Sequence, residues 1–312
     1  MKNEINNSDI EVIKKARVIN IILDKYILVF LDSTDLVEIE ATLRGNFKRN
    51  NSILVGDIVN VKKSYDKYMI ESLEKRTNSL IRPPVSNIDN LVIVVSLDSP
   101  SPDYILLDKE LVLCSSKDIN PILCINKVDL AENNEKLQNE LKYIKDVYGK
   151  LNIEIIYTSV VQNKGLQELK NSLIGKISAF SGNSGVGKSS ITKEIIKEAS
   201  IQIGEISSRT NKGRHKTKHV QLFNIQKDTY ILDTPGFSSY EIYGVESKDL
   251  KYHFEEFLKI KCKYEDCSHI SEGIDVCEIK KQIENGNIDK GRYERYVYIH
   301  NELKQKEAKK YK

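Results

Sequence analysis

Hydrophobic and polar residues follow three successive patterns along the chain, and the first is a series of short apolar runs without a helical period. The runs occupy residues 18–23, 26–31, 37–43, 58–61 and 68–70. Five short strands in about sixty residues predict a small closed β-barrel such as an OB-fold. Barrels of this kind often bind oligonucleotides, and a packing role without a ligand is the alternative that the pattern leaves open.

The second pattern begins after Pro83 and Pro84, which neither donate to a sheet nor continue a helix and so mark a domain boundary. An unbroken apolar run at residues 91–97 predicts a parallel strand that is covered on both faces. Helical stretches then alternate with further predicted strands. These strands are residues 121–125, 153–157, 177–181, 219–223 and 229–232. The alternation predicts a doubly wound α/β domain.

The third pattern, beyond about residue 243, is helical and is interrupted by three cysteines. It ends in a basic tail at residues 304–312. We therefore predict a protein of three domains, the last of them mostly α-helical. The predicted domains are residues 1–82, with about the first ten disordered, residues 83–242 and residues 243–312.

The composition narrows the class of protein. The chain has 312 residues, 40% of them hydrophobic, and no apolar run reaches membrane-spanning length. The N-terminal stretch lacks the features of a secretory signal, so we expect a soluble cytoplasmic protein without a membrane partner. The net charge of +3 is too small to indicate a partner. Five cysteines, an odd count, argue against a disulfide framework, and Cys114 and Cys124 are expected to be buried apolar residues.

Residues 182–189, GNSGVGKS, match the phosphate-binding loop G-x-x-x-x-G-K-[ST]. A predicted buried strand precedes the match and a predicted amphipathic helix follows it. Loop amides and the helix N-terminus would bind a polyphosphate, Lys188 would reach the β- and γ-phosphates, and Ser189 would bind Mg²⁺. The residues predicted to contact nucleotide here are Gly182, Asn183, Ser184, Gly185, Val186, Gly187, Lys188, Ser189 and Ser190.

Two further motifs follow predicted strands, where a nucleotide-binding sheet places its ligands. In D-T-P-G, Asp233 is predicted to hold Mg²⁺ and the amide of Gly236 to sense the γ-phosphate. In N-K-V-D, the carboxylate of Asp129 can accept the N1–H and N2–H₂ donors of guanine, which adenine lacks. We therefore predict GTP rather than ATP. The motif residues are Asn126, Lys127, Val128 and Asp129, and Ser159 follows the next strand, in a loop whose backbone amide would meet guanine O6.

The order of these motifs differs from that of ordinary GTPases, in which the phosphate loop comes first and N-K-x-D last. Here N-K-V-D comes first and D-T-P-G last. We therefore predict a circularly permuted GTPase domain, which can form the same sheet because the termini of such a domain lie close together. The chain after Gly236 leads directly into the C-terminal domain, so a change at the γ-phosphate can pull on that domain.

The groups that orient the attacking water are less clearly marked. Phe237 stands where Ras-like enzymes have a glutamine that orients this water, so slow intrinsic hydrolysis is predicted. The basic loop of residues 207–219 occupies the position of the first switch. His215 is the candidate catalytic group there, together with Lys188 of the phosphate loop, and Thr217 is a candidate Mg²⁺ ligand. The alternative is a basic loop that contacts only phosphate or RNA.

A possible metal site lies in the third region, where Cys262, Cys267, His269 and Cys277 fall within 16 residues. Three thiolates and one imidazole suit a single structural Zn²⁺ in tetrahedral geometry. Buried thiols without a metal are the alternative, and the polar residues around them disfavour it.

With these motifs the sequence resembles the circularly permuted, ribosome small-subunit-dependent GTPases of the RsgA type. The resemblance also rests on residues 82–89, RPPVSNID, and on Gly213-Arg214-His215. It implies an OB-fold, a GTPase domain and a zinc domain. It also implies a role in late maturation of the small ribosomal subunit, which stimulates hydrolysis of GTP to GDP. Lys216 stands where the family commonly has threonine, which leaves Thr217 as the nearby Mg²⁺ ligand.

We expect a monomer whose barrel, basic loop and basic tail contact ribosomal RNA. Two other functions are compatible with the sequence. One is a GTP-dependent binding switch with a protein partner, and the other is a non-enzymatic RNA-binding zinc protein.

Overall fold

The computed structural model describes residues 13–32, 37–44, 52–64, 66–202, 220–233 and 242–310. Its first strands are β1 Ile13–Ile22, β2 Lys25–Phe30, β3 Glu38–Leu43, β4 Ile58–Ser64 and β5 Lys67–Leu73. They form a barrel in the order β1-β2-β3-β5-β4, which a pairing of β1 with β4 closes. The predicted closed barrel is confirmed, although β1 begins earlier than the pattern indicated. The residues predicted to be disordered lie outside the described part.

Strand alternation explains why these residues form a barrel. Successive side chains of a strand point to opposite faces, so every second residue faces the interior. Val18, Leu28, Val59 and Ile70 come from four different strands, and all four are fully buried. The lysines of the same strands are exposed or half-buried, and Lys14, Lys15 and Lys25 form ion pairs with neighbouring acids.

A short hairpin joins the barrel to the central part, and it carries Pro83 and Pro84 in its turn. Its strands are β6 Ser79–Leu80 and β7 Val85–Ser86. The fully buried carboxylate of Asp57 fixes this junction, because it accepts hydrogen bonds from Ser86 Oγ at 2.5 Å and from Arg76 Nε at 2.7 Å. The proline pair therefore lies at a tightly bonded connection between the two parts.

The central part is a six-stranded sheet with helices on both faces. Its strands are β8 Asn90–Ser96, β9 Asn120–Asn126, β10 Glu154–Thr158, β11 Ile177–Ser181, β12 Gln221–Gln226 and β13 Thr229–Asp233. Its helices are α1 Tyr104–Lys117, α2 Glu135–Tyr148, α3 Leu166–Ser172 and α4 Lys188–Gln202. The strand order is β10-β9-β8-β11-β13-β12, and all strands except β12 are parallel.

The buried pattern of β8 shows why this sheet is covered on both faces. All seven of its residues are buried, as expected for a central parallel strand. Leu91 and Ile93 belong to one hydrophobic core, with residues of α1 and α2. Val92 and Val94 belong to the other, with residues of α3 and α4. The predicted doubly wound α/β domain is confirmed.

One pairing joins the barrel to the central sheet and was not predicted. Strand β1 pairs with β12 through Asn20 and Gln221, so the described strands, other than those of the hairpin, form one continuous sheet of eleven. The guanidinium of Arg17 lies 5.5 Å from the ring centroid of Tyr230 and donates a hydrogen bond to the carbonyl of Gly56 at 3.3 Å. A strand of the barrel therefore packs directly on the edge of the central domain.

The C-terminal part is helical, as predicted. A 3₁₀ helix at Ser247–His253 precedes α5 Glu255–Leu258, α6 Glu278–Glu284 and α7 Lys290–Lys310. Its hydrophobic core also takes in Val112 of α1. Among the described helices, none has the length and apolar character needed to cross a membrane.

Candidate nucleotide site and metal cluster

The carboxyl ends of five parallel strands meet at one edge of the central sheet. Because β8, β9, β10, β11 and β13 run in the same direction, their last residues lie at this edge. These last residues are Ser96, Asn126, Thr158, Ser181 and Asp233. Ligands of open α/β sheets bind outside such an edge. The fold therefore brings the glycine-rich loop and N-K-V-D to the same edge as Asp233, the first residue of D-T-P-G.

The glycine-rich loop, residues 182–187, connects β11 to the N-terminus of α4. All three of its glycines have backbone angles that disfavour other residues, with φ +125° at Gly182, +85° at Gly185 and +102° at Gly187. A Cβ on Gly182 would lie 2.1 Å from the carbonyl oxygen of Val94, and one on Gly187 would lie 2.2 Å from Nδ2 of Asn126. The loop can take this path only because neither residue has a side chain.

Lys188 is the first residue of α4, and its side chain folds back over the loop. Its Nζ donates hydrogen bonds to the carbonyl oxygens of Gly182 at 2.6 Å and Asn183 at 2.8 Å. Burial lowers the pKa of Lys188, and the nearby carboxyl of Glu110 opposes that shift. Ser189 and Ser190 follow and are exposed. The loop thus presents an ammonium group and hydroxyl groups at the edge where the strands end.

Asn126 holds the N-K-V-D segment against the glycine-rich loop. Its side chain is almost fully buried, and Nδ2 donates to the carbonyl oxygen of Val186 at 2.8 Å. The hydroxyl of Thr158 donates to Oδ1 of Asn126 at 3.1 Å and lies 3.3 Å from the thiol of Cys124. Burial raises the pKa of Cys124 to about 12, so it remains a thiol. The Asn126 amide therefore connects the ends of β9 and β10 to the glycine-rich loop.

The other N-K-V-D residues frame an open space at the same edge. Lys127 has a φ of +61°, and its Nζ donates to the carbonyl oxygens of Asp98 at 3.2 Å and Ser99 at 2.6 Å. Val128 and Asp129 begin a 3₁₀ helix, in which Val128 is buried and Asp129 half-buried. Within the described residues the carboxylate of Asp129 has no hydrogen-bond partner. It is therefore available to accept donors from a ligand.

Ser159 shapes the loop that follows β10. Its amide donates to the carbonyl oxygen of Lys164 at 3.1 Å, and its hydroxyl accepts a hydrogen bond from the amide of Gln162 at 3.2 Å. The amide of Ser159 therefore already has an acceptor within the chain. The next amide along the loop, that of Val160, takes no part in the backbone pairing of Ser159 with Lys164.

Four of the predicted site positions are described in part or not at all. The backbone of Asp233 ends β13 beside β11, but its side chain lies outside the described part. His215, Thr217 and Gly236 also lie outside it. The structure therefore describes the side chains of the glycine-rich loop and of N-K-V-D, and for D-T-P-G only the strand end that precedes it.

Sequence reasoning missed two residues at this site, Thr158 and Glu110. The role of Thr158 depends on a contact with Asn126, 32 residues away. Glu110 is a fully buried acid on α1 that accepts a hydrogen bond from Ser181 Oγ at the end of β11. The signal that could have found it is an acid beside the apolar run of residues 111–114 in this helix.

The four predicted metal ligands lie together in the C-terminal part. Cys262, Cys267, His269 and Cys277 place one ligand atom each within 4.8 Å of one another. The Sγ atoms of Cys262 and Cys277 are 4.0 Å apart, and Nδ1 of His269 lies 3.5 Å from the first and 3.6 Å from the second. Two thiolates on tetrahedral zinc are about 3.8 Å apart when each Zn–S bond is about 2.3 Å. The cluster therefore has the dimensions of a metal site.

The residues around the cluster hold its loop in place. Burial, helped by the charge of Lys251, lowers the pKa of His269 to about 4, so its imidazole is neutral. Burial alone would raise the pKa of Glu272, but hydrogen bonds from Ser268 and Ile270 outweigh it and lower that pKa to about 2. The hydroxyl of Tyr293 on α7 donates to the carbonyl of His269 at 2.7 Å.

Comparison with known proteins gives consistent matches over most of the chain. The family model of the RsgA GTPase matches residues 73–243. A relative from Caldanaerobacter subterraneus subsp. tengcongensis, named small ribosomal subunit biogenesis GTPase RsgA, is 38% identical over 88% of this chain and 92% of its own. A relative of the same name from Bacillus velezensis is 37% identical over 92% of this chain and 97% of its own.

Two solved structures have the same fold. YjeQ from Thermotoga maritima superposes with a TM-score of 0.80 at 32% identity, covering 94% of this chain and 99% of its own. YloQ, described as a circularly permuted GTPase, superposes with a TM-score of 0.79 at 30% identity, covering 95% of this chain and 96% of its own. The permuted motif order is thus shared with a solved structure.

Proposed function

Because this chain belongs to the RsgA GTPase family, we propose that it binds GTP at the common edge of its parallel strands and hydrolyses it to GDP and phosphate. The observation that carries the proposal is that N-K-V-D and the glycine-rich loop meet there, joined by the hydrogen bond from Asn126 to Val186. The names of the relatives suggest the partner. It is the small ribosomal subunit, whose late maturation this protein would assist in the cytoplasm.

The phosphates would bind at the glycine-rich loop. Its amides and the N-terminus of α4 supply donors and a positive field for the polyphosphate. Lys188, now bonded to carbonyl oxygens of its own loop, would exchange them for β- and γ-phosphate oxygens. The contacts proposed for this loop are those of Gly182, Asn183, Ser184, Gly185, Val186, Gly187, Lys188, Ser189 and Ser190.

The base would bind between N-K-V-D and the loop after β10. Asp129 would accept the N1–H and N2–H₂ groups of guanine, since its carboxylate has no partner among the described residues. Asn126 would hold the segment against the glycine-rich loop, and the stem of Lys127 would pack along the base. Ser159 would fix its loop, so that the amide of Val160 is the donor to guanine O6.

Mg²⁺ would bind with GTP through oxygen ligands, which this cation prefers. Ser189 presents an exposed hydroxyl at the first turn of α4, and Asp233 ends the strand next to β11. Thr217 is the ligand proposed for the first switch. When bound, the ion would supply positive charge that neutralises the charge developing on the phosphates during transfer.

Hydrolysis would depend mainly on positioning and on charge stabilisation. Lys188 would stabilise the phosphates, and His215 is the proposed group that orients the attacking water. Phe237 has no polar atom with which to do so. Intrinsic turnover would therefore be slow, and the small subunit would accelerate it.

The Cys/His cluster would hold one structural Zn²⁺. The spacing of the thiols and the imidazole fits a tetrahedral zinc, and the neutral imidazole of His269 can offer Nδ1. Zinc would tie the loop from Cys262 to Cys277 to the start of α6, where the amide of Glu278 donates to Cys262 Sγ at 3.2 Å. Bound zinc would stabilise the folded form of the C-terminal part.

One end of the barrel, where Phe30 and Tyr68 partly cover its core, is suited to contact ribosomal RNA. Phe30 and Tyr68 meet edge to face with centroids 5.6 Å apart, Lys14 lies 5.4 Å from the first ring and Lys63 lies 5.9 Å from the second. Rings that can stack on bases beside cations that can bind phosphate are typical of RNA-binding surfaces. We propose that the protein binds the subunit as a monomer.

The decisive experiment measures GTP hydrolysis with and without purified small subunits. We expect little turnover alone and a large increase with the particle, and Lys188→Ala should lose both GTP binding and turnover. Normal GTP binding without stimulation would instead favour a switch with a protein partner. No GTP binding would favour a non-enzymatic RNA-binding zinc protein.

A further inference from the structure

Glu110 lies under the glycine-rich loop and has an incomplete set of hydrogen bonds. Its side chain, on α1, is fully buried. Oε1 accepts a hydrogen bond from Ser181 Oγ, the last residue of β11 before the loop. Oε2 is also buried and has no partner among the described residues. A buried carboxyl oxygen without a partner is costly unless the group has a reason to be there.

A small cavity lies beside this carboxyl. Its volume is about 10 Å³, close to the smallest space that holds one water molecule. It separates the N-terminal half of α1 from the start of the glycine-rich loop. Its lining includes Ser96, Asp103, Glu110, Gly182, Asn183 and Val186. Glu110 therefore faces the back of the phosphate-binding loop rather than an unrelated part of the core.

The charged and titratable groups around Glu110 are few. Burial raises the pKa of its carboxyl to about 8, which the hydrogen bond from Ser181 and the charge of Lys188 on α4 partly offset. Asp103, at the N-cap of α1, raises that pKa further. Cys114, one turn along α1, is a thiol whose own pKa burial raises. At pH 7 the Glu110 carboxyl is therefore mostly neutral.

We propose that Glu110 is a positioning residue of the nucleotide site, that it supports the glycine-rich loop as a neutral acid, and that its ionised form opposes nucleotide binding. This inference rests on the proposed function, because the ligand is the nucleotide polyphosphate. As an acid, Glu110 keeps an O–H that can donate into the cavity beneath the loop. As a carboxylate, it places a buried negative charge behind the site where further negative charge must bind.

The sign of the effect follows from linkage. Bound phosphates disfavour the carboxylate, so they raise the pKa of Glu110 above its value in the free protein. Well below pH 8 the group is protonated in both states and has little influence on affinity. Above pH 8 the free protein must first take up a proton, so affinity falls by about tenfold per pH unit until the pKa of the complex is reached. We expect GDP to bind about tenfold more weakly at pH 9 than at pH 7 through this group alone.

The experiment compares GDP affinity at pH 7, 8 and 9 for three full-length proteins in the presence of Mg²⁺. Glu110→Gln keeps the size of the side chain but cannot ionise, so it should bind GDP without this loss. The ratio of wild-type to Glu110→Gln affinity cancels titration of the nucleotide itself. Ser181→Ala keeps the carboxyl but removes a hydrogen bond that lowers its pKa, so its affinity loss should begin at higher pH.

A measurement on the unaltered protein makes the test independent of how the variants fold. Calorimetry at pH 8.5 in two buffers of different ionisation enthalpy should show net proton uptake on GDP binding. Equal pH dependence in wild type and Glu110→Gln, or no proton uptake, would overturn the role of Glu110 and leave the nucleotide site intact. Failure of the wild-type protein to bind GDP at pH 7 would overturn the nucleotide site and this inference together.

Discussion

At the scale of single residues, the hydrogen bonds of Asn126 decide how the two nucleotide motifs are held together. Its Nδ2 reaches Val186 in the glycine-rich loop, and its Oδ1 accepts from Thr158 on the neighbouring strand. The side chain thus has one fixed orientation, with the carbonyl oxygen towards the hydroxyl and the amide nitrogen towards the loop. A substitution that removes either hydrogen-bond partner would allow the side-chain amide of Asn126 to rotate.

Thr158→Val tests this arrangement. Valine has the shape of threonine but no hydroxyl, so Oδ1 of Asn126 would be left buried without a donor. One such loss costs about 1 kcal/mol, and we expect roughly fivefold weaker GTP binding. Thr158→Ser is the matched control, because it keeps the hydroxyl. Equal affinity of the valine and serine variants would show that the bond does not position Asn126.

Asp129→Asn tests how the base is selected. The substitution replaces one acceptor oxygen by an amide donor, which faces the donors of guanine. Loss of a hydrogen bond to a charged group costs about 1.5–3 kcal/mol, so GTP should bind roughly tenfold to a hundredfold more weakly. Competition between GTP and ATP measures the preference for GTP over ATP, and this preference should be smaller in the variant. An unchanged preference for GTP would mean that another residue selects the base.

The site residues differ in how far the sequence alone could predict them. The glycine-rich loop and N-K-V-D are contiguous segments, so their chemistry is visible in the printed sequence. Thr158 and Glu110 act through partners 32 and 71 residues away. Their roles depend on which strands and helices become neighbours, and no local pattern contains that information. A buried charge on a helix could be suspected from the sequence, but not its proximity to the glycine-rich loop.

At the scale of secondary-structure elements, α1 and α7 are joined by a buried ionic network. The carboxylate of Asp108 on α1 is fully buried and pairs with Arg292 and with Arg295, the latter at 2.5 Å. Tyr148 of α2 donates its hydroxyl to the same carboxylate at 2.8 Å. Nearby, Lys109 pairs with Glu302 at 2.6 Å. The central domain therefore holds the last helix through charges as well as through apolar packing.

Asp108→Asn should destabilise this contact strongly. The variant leaves the largely buried Arg295 without its counter-charge, and it leaves the buried Arg292 with Glu256 as its one remaining acidic partner. Removing one partner of such a buried network costs about 3–5 kcal/mol. The midpoint of urea unfolding, followed by circular dichroism, should fall clearly. Glu294→Gln is the control, because it breaks the exposed pair with Lys290 on α7, which contributes about 0.5 kcal/mol or less.

Removal of the metal tests whether zinc stabilises the segment between Cys262 and Cys277. Elemental analysis should find about one zinc per chain, and a strong chelator should remove it and unfold the loop between α5 and α6. Cys277→Ser should purify with much less zinc. Cys124→Ala is the matched control, because Cys124 lies buried in the central sheet, far from the cluster in the fold. Full zinc content in Cys277→Ser would remove this residue from the ligand set.

The elements themselves were largely predictable, because apolar periodicity fixes a strand or a helix locally. The barrel strands, the parallel strands and the long final helix all followed from such patterns. The network of Asp108 was not predictable. Its arginines are 184 and 187 residues away, and a charged residue on a helix is normally exposed to solvent.

At the scale of the whole molecule, the circular permutation and the pairing of β1 with β12 have a common consequence. The permuted order places the barrel before the strand that begins the central sheet and the helical part after the strand that ends at Asp233. The barrel then returns to the edge of the same sheet through Asn20 and Gln221. The motif order predicted the first arrangement. The second arrangement is a long-range pairing of two edge strands, and no local sequence pattern predicts it.

The end of the barrel that carries Phe30 and Tyr68 gives the last prediction, which concerns binding of the small subunit. Lys14 and Lys63 are exposed beside Phe30 and Tyr68, whereas the nucleotide motifs lie on the central sheet. If this surface contacts RNA, the double variant Lys14→Glu/Lys63→Glu should bind the subunit more weakly. Because each lost phosphate contact reduces counterion release, the slope of log affinity against log salt should become shallower by about one per lysine.

A control of equal charge change separates this contact from a general effect of charge. Lys136→Glu together with Lys145→Glu reverses two charges on α2, away from the barrel, and should leave the salt slope unchanged. GTP binding should be the same in both double variants, since neither touches the motif residues. If the barrel variant kept the wild-type salt slope, the barrel surface would have no role in RNA binding, and the helical part with its basic tail would become the surface to test.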